Sequence, residues 1–247
     1  MPEPESTSSR RRSWESGMKT IGLLGGMTCE SSVEYYRLIN EGVREKLGGI
    51  HSAQSLMYSV DFGEIEPEME TERWDLVLER LVAGALAVER GGADFLVICT
   101  NTMHKLADQV EQRIGIPILN IIDVTAEAVR AAGIETVGLL GTRFTMTQGF
   151  YRRRLAEKHG IETVIPSQQE VSMIHRVIME ELTIGVISPE SKKLYWEVIR
   201  RLQSMGARGI VLGCTEIPLL VKQDEGEIPL FDTTLLHARA AVRLALE

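Results

Sequence analysis

The chain repeats itself, and that duplication constrains the fold more than any other feature of the sequence. TIGLLGG at 20–26 returns as TVGLLGT at 136–142. GGADFLVICTNT at 91–102 returns as MGARGIVLGCTEI at 205–217, which sets Cys99 against Cys214, 115 residues on. Each block is followed by IPIL at 116–119 or IPLF at 228–231, then by a helix carrying AVRAA or AVRLA. The order of parts is the same in both halves, so the chain divides near residue 130 into two like units.

Within each unit, short β-branched apolar runs alternate with longer amphipathic stretches, the pattern of α/β architecture. Strands are predicted at 20–24, 54–60, 95–98, 118–121, 136–140, 162–165, 209–212 and 230–231. Helices are predicted at 31–47, 74–91, 103–114, 123–132, 147–159, 170–182, 188–205 and 234–246. The expected fold is therefore α/β: two similar parallel-sheet lobes, residues 18–130 and 131–247, related by pseudo-twofold symmetry with the active site between them. The C-terminal helix is free to pack back on the first lobe. Ligands of open α/β sheets bind at the carboxyl ends of the strands, so the two cysteine loops should meet at one cleft.

Residues 1–17 are polar, carry Arg10, Arg11 and Arg12, and lack an apolar core. They read as a disordered extension rather than a secretory signal. No apolar run approaches the ~20 residues of a membrane span, and a cytoplasmic location is expected. The formal charge of -8 argues against a nucleic-acid surface, which needs a basic face, but not against a small acidic ligand.

Cys29, Cys99 and Cys214 form neither a metal spacing nor an even disulfide framework. A free cysteine is ordinarily a small buried hydrophobe. Two at matching repeat positions, each followed by Thr, suggest more. A strand-to-helix turn leaves N–H groups unpaired, favours anions and lowers a nearby thiol's pKa from about 8.5. Thr100, Asn101, Thr102 and Thr215 add neutral donors, so the site suits a carboxylate held between two thiols. Opposed bases on one carbon are what stereoinversion requires.

GLLGGMTCESS, ICTNTMH, LLGTRFTM and LGCTEIPLL resemble the aspartate/glutamate racemase superfamily, in its aspartate-racemase-like branch, from Met18 to the C-terminus. The resemblance implies a cofactor-independent amino-acid racemase serving D-amino-acid metabolism, and commonly a homodimer; apart from it, no Lys stands in a context for a pyridoxal Schiff base and the five histidines form no metal triad. By position it implies that Cys99 and Cys214 are the catalytic pair, and that Met27, Thr100, Asn101, Thr102 and Thr215 cradle the substrate's α-carboxylate and amino group. Within the same superfamily, a maleate-type cis–trans isomerase is the alternative enzyme. A non-catalytic protein binding a small carboxylate is the alternative of another class.

Several positions depart from that pattern. Cys29 stands where the branch usually carries Trp, and is expected to be a packing replacement. Glu216 stands where glutamate racemases tend to carry His, removing one helper for Cys214. The stretches at 61–74 and 180–188, where aspartate-specific members carry cations, offer only Arg73. Glu64, Glu66, Glu68, Glu70 and Glu72 in the first stretch are expected to form a solvated charged loop.

Thr142 and Thr145 are candidates for either helix capping or ligand contact. Asp123 and Asp232 read as caps, Tyr35 and Tyr36 as packing residues, and His104 as a structural residue near the cysteine loop. GxGxxG and P-loop signatures are absent.

Overall fold

A computed structural model describes residues 17–247. The extension expected over residues 1–17 therefore lies, but for Gly17, outside the described residues. In chain order the first half runs β1 (Ile21–Gly25), α1 (Cys29–Leu47), β2 (Ser55–Ser59), α2 (Phe62–Glu70), α3 (Trp74–Arg90), β3 (Phe95–Ile98), α4 (Ala107–Glu111) and α5 (Ile121–Ala131). The second runs β4 (Thr136–Gly141), α6 (Arg143–Thr147), α7 (Phe150–His159), β5 (Glu162–Val164), α8 (Gln168–Glu180), α9 (Pro189–Ser204), β6 (Gly209–Gly213), α10 (Ile217–Leu220), β7 (Leu230–Asp232) and α11 (Thr233–Leu246).

Two parallel sheets result, ordered β2-β1-β3 and β5-β4-β6-β7. The fold is the mixed α/β, parallel-sheet architecture that the repeat predicts. The first sheet lacks a full counterpart of β7. Leu96 makes only an isolated bridge to Ile118, because Asn120 accepts a hydrogen bond from Ile122 N–H at 3.0 Å and starts α5 at once. The strand expected at 118–121 is cut short by that cap.

Strand side chains alternate between faces, and both faces of these sheets are buried. In β3, Phe95 and Val97 pack with Tyr35 of α1 and Ala238 and Ala241 of α11, whereas Leu96 and Ile98 pack beneath Leu81 and Val88 of α3. The second lobe has its own cluster, around Leu139, Tyr195 and Val211. The last helix thus covers the first sheet. His237 on α11 fixes this by accepting from Tyr35 Oη at 2.8 Å and donating to the Leu119 carbonyl at 2.7 Å.

Asp232 caps α11 through the N–H groups of Thr234 and Leu235. Asp123 does not cap α5; it receives Arg154, Lys158 and His159 of α7 instead. Tyr35 is fully buried, but Tyr36 is exposed and is not a packing residue. No helix among the described residues is long and apolar enough to cross a membrane.

Candidate active site

One cavity opens where the two sheets' carboxyl ends face each other. Met27 and Thr28 after β1, and Thr100, Asn101 and Thr102 after β3, form the first lobe's wall. Thr142 after β4, and Cys214, Thr215 and Glu216 after β6, form the second lobe's. Six of the seven residues singled out in the sequence therefore share a cavity.

Cys99 is the exception. It is 1% exposed, does not line the cavity, and packs in the apolar cluster with Ile21, Leu23 and Val97, its thiol 3.7 Å from the Val97 carbonyl. The cause is strand alternation: Cys99 continues the face of Phe95 and Val97, turned toward α1 and α11. Burial pushes its pKa well above the usual thiol value.

Sheet register shows why the two cysteines are not equivalent. Leu24 of β1 pairs with Ile98, and its repeat partner Leu140 of β4 pairs with Leu212. Ile98 thus corresponds to Leu212, Cys99 to Gly213, and Thr100 to Cys214. The edge-side hydrogen bonds agree, since Leu96 N–H reaches the Pro117 carbonyl and Ile210 N–H the Pro229 carbonyl. Gly213 is itself confined, because a Cβ there would sit 2.9 Å from the Leu140 carbonyl. The residue facing the cavity at the position matching Cys214 is Thr100.

Cys214 has a built environment. Its thiol lies 3.0 Å from Glu216 Oε2, which also accepts from Thr215 Oγ1 at 2.8 Å. Glu216 is 4% exposed, and its other oxygen accepts from Thr28 Oγ1 of the first lobe at 3.0 Å. Burial, then the Glu216 carboxylate, raise the Cys214 pKa, so the resting group is a thiol donating to a carboxylate. The helper expected to be missing beside Cys214 is present as Glu216.

Thr100 is fixed by its backbone. His104 Nδ1 donates to the Thr100 carbonyl at 2.8 Å while Nε2 accepts from Ile121 N–H at 3.2 Å. Burial lowers the His104 pKa to about 4, so the ring is neutral and holds both bonds. Asn101 donates to Thr233 Oγ1 at 3.0 Å, but its buried Oδ1 has no partner among the described residues. Thr102 Oγ1 lies 3.0 Å from Thr142 Oγ1 and 3.2 Å from Thr145 Oγ1, joining the lobes by hydroxyls. Thr142 both caps α6 and lines the cavity, whereas Thr145 is buried behind it.

The stretch at 62–70 is a helix, not a loop, started by Asp61 accepting from Gly63 N–H at 2.9 Å. Phe62, Glu66, Met69 and Glu70 of α2 line the cavity, as spacings of three and four place them on one helical face. Glu64 and Glu68 face Arg80 of α3 instead. Two of the five glutamates therefore point inward, against the expectation of a wholly solvated stretch. Glu70 pairs with Arg143 and lies 3.9 Å from His175 Nε2. Arg73 forms an exposed pair with Asp75 and is absent from the lining. Cys29 is exposed at the start of α1 and neither packs in the core nor lines the cavity.

Phe144, His175, Ile178, Met179 and Thr183 complete the second lobe's wall. None of these residues stands out in the sequence as part of the site. The 175, 178, 179 spacing was readable as a helical face, but not which side of α8 met a cavity. Among the described residues no group of His, Cys, Asp and Glu is arranged to hold a metal.

A two-lobed α/β frame with a thiol and a row of hydroxyls at the strand ends places the chain among the amino-acid racemases, isomerases of amino acids. It belongs to the Asp/Glu/Hydantoin racemase family, whose profile matches residues 24–241. A provisionally named Asp/Glu racemase from Yersinia pestis is 48% identical, with a TM-score of 0.87 over 93% of this chain and 100% of that one. An aspartate racemase homologue from Pyrococcus horikoshii is 36% identical, with a TM-score of 0.81 over 93% and 100%. The broad-specificity amino-acid racemase RacX of Bacillus subtilis is 24% identical over 68% of this chain and 72% of its own.

Proposed function

We propose that the enzyme inverts the α-carbon of an amino acid without a cofactor, using Cys214 on one side of that carbon and Thr100 on the other. One observation carries the reading: the two residues occupy equivalent repeat positions and line one cavity from opposite lobes. The paired-cysteine scheme needs a second thiol in the cavity, and the burial of Cys99 in the core opposes it.

The α-carboxylate lies beside the hydroxyls of Thr102 and Thr142, whose donors strengthen as charge develops on it, while the Thr215 hydroxyl holds Glu216 in place. Asn101 Oδ1, the unpaired buried acceptor, receives the α-ammonium. Glu216 takes the Cys214 proton across their 3.0 Å contact, so that one negative charge is shared by the pair rather than doubled. The thiolate removes the α-proton and returns to thiol. Thr100 then passes its proton to the opposite face as a cleft water gives it another, and Glu216 returns the proton it took from Cys214 to that water, so neither alkoxide nor hydroxide is left. Met27 limits the space beside the reacting carbon.

This pair is unequal in acidity, yet kcat/KM must be equal for two enantiomers of equal free energy. The inequality therefore emerges in exchange. In deuterated water the enantiomer whose α-hydrogen faces Cys214 should lose it faster than it inverts, while the other should invert without prior exchange. Proton NMR with chiral chromatography, run on a panel of L- and D-amino acids, reads both rates. Identical exchange-to-inversion ratios from the two enantiomers would sink the unequal pair. Exchange with no amino acid would sink racemisation altogether. A single cavity thiol also suits covalent addition to an alkene, so alkene isomerisation without α-exchange would favour the maleate-type reading.

A further inference from the structure

We propose that the side-chain end of the cavity selects amino acids whose side chain ends in a cation, and that Glu66 is the group that receives it. This inference rests on the racemase reading and concerns the part of the substrate that does not react. On that reading the unpaired Asn101 Oδ1 and the hydroxyls of Thr102 and Thr142 hold the α-ammonium and α-carboxylate beside Cys214. The side chain must then run toward α2 and α8.

The wall there is apolar along its length, from Phe62, Met69, Ile178 and Met179, which suits a methylene stem. Two carboxylates, Glu66 and Glu70, face that space, and no Lys or Arg belongs to the lining. Arg143, the cation beside them, is engaged by Glu70 and lies with its guanidinium carbon 4.1 Å from the Phe144 ring centre. Glu66 is half-buried and has no ion pair or hydrogen bond among the described residues. His175 offers no compensating charge, because burial, then Arg143, lower its pKa. A second substrate carboxylate would meet an unbalanced Glu66 at short range, whereas an ammonium or guanidinium would neutralise it.

The test compares lysine, norleucine and glutamate, which differ chiefly in the charge at the side chain's end. In the native enzyme, lysine should exceed glutamate in kcat/KM by about tenfold or more, the scale of one charge-assisted contact made or opposed. Glu66→Gln should lower the lysine-to-norleucine ratio by about tenfold. Glu70→Gln should release Arg143 and raise the glutamate-to-norleucine ratio. Ratios within one variant cancel any general loss of activity. The same comparison made by calorimetric binding to the Cys214→Ser protein needs no turnover. A preference for lysine there, lost on Glu66→Gln, supports the inference even if no amino acid is racemised. A native preference for glutamate, or ratios that Glu66→Gln does not move, overturns it while leaving racemisation intact.

Discussion

Replacing each cysteine by alanine in turn should separate stability from turnover. Cys99 is 1% exposed inside the cluster formed by β1, β3, α1 and α11. Cys99→Ala removes one buried heavy atom from a packed site, a loss of about 1 kcal/mol once the small cavity is counted. For a chain of this size that lowers Tm by about 2–4 °C. Turnover should stay within about twofold, since the thiol is not in the cavity. Cys214→Ala should do the reverse. Removal of a group that transfers a proton in the rate-determining region costs about 10²–10⁴-fold in kcat, while a half-buried residue at a loop changes Tm little. Thermal unfolding by circular dichroism and α-hydrogen exchange by NMR, measured on the same preparations, give both axes. A folded Cys99→Ala protein that no longer exchanges the α-hydrogen would refute the register argument.

Thr100→Val should abolish inversion while sparing exchange from one enantiomer, because the valine keeps the shape and loses only the hydroxyl; chiral chromatography beside NMR reads the split. Glu216→Gln should speed alkylation of Cys214 by iodoacetamide at neutral pH, since the carboxylate's charge raises that thiol's pKa, and yet lower kcat, since the proton acceptor is gone. Slower alkylation would contradict that assignment. Stability should fall in mild acid through His104 and His237, whose pKa values burial lowers to about 4 and about 3. Both are held neutral when folded, so the stability they confer is complete above the unfolded value of about 6.5 and is lost as pH falls toward the folded values. At pH 5 the two together should destabilise by on the order of 4 kcal/mol. Urea midpoints that match at pH 7.5 and pH 5 would contradict it.

The duplication, the parallel sheets and the meeting of the strand-end loops were all legible, because apolar runs and repeated glycines report buried strands and tight turns directly. Thr100, Asn101, Thr102 and Thr215 line the cavity for a reason the sequence carries: a loop after a parallel strand has few directions to go. The helix at 62–70 was not legible. Pro67 and its glutamates mask the two residues, Ile65 and Met69, whose spacing of four marks its buried face. Glu66 and Glu70 could not be told from Glu64 and Glu68 until Arg80 on α3 was seen to take the latter pair.

The misplaced Cys99 has a sharper cause. Cys-Thr occurs in both halves, and aligning identical dipeptides introduces a one-residue slip that no strand tolerates, since each slip turns every side chain to the other face. Gly92-Ala93 and Gly206-Ala207, aligned without a gap, carry the register through to Thr100 and Cys214. The hydrogen-bonded pairs of both sheets hold that same register. Duplication supplied two equivalent loops, and the chemistry at their tips then diverged. A thiol with its own buried carboxylate now stands across from a hydroxyl held only through its backbone. If the proposed inversion holds, those two positions cannot act as a symmetric pair, and each half-reaction needs its own proton partner.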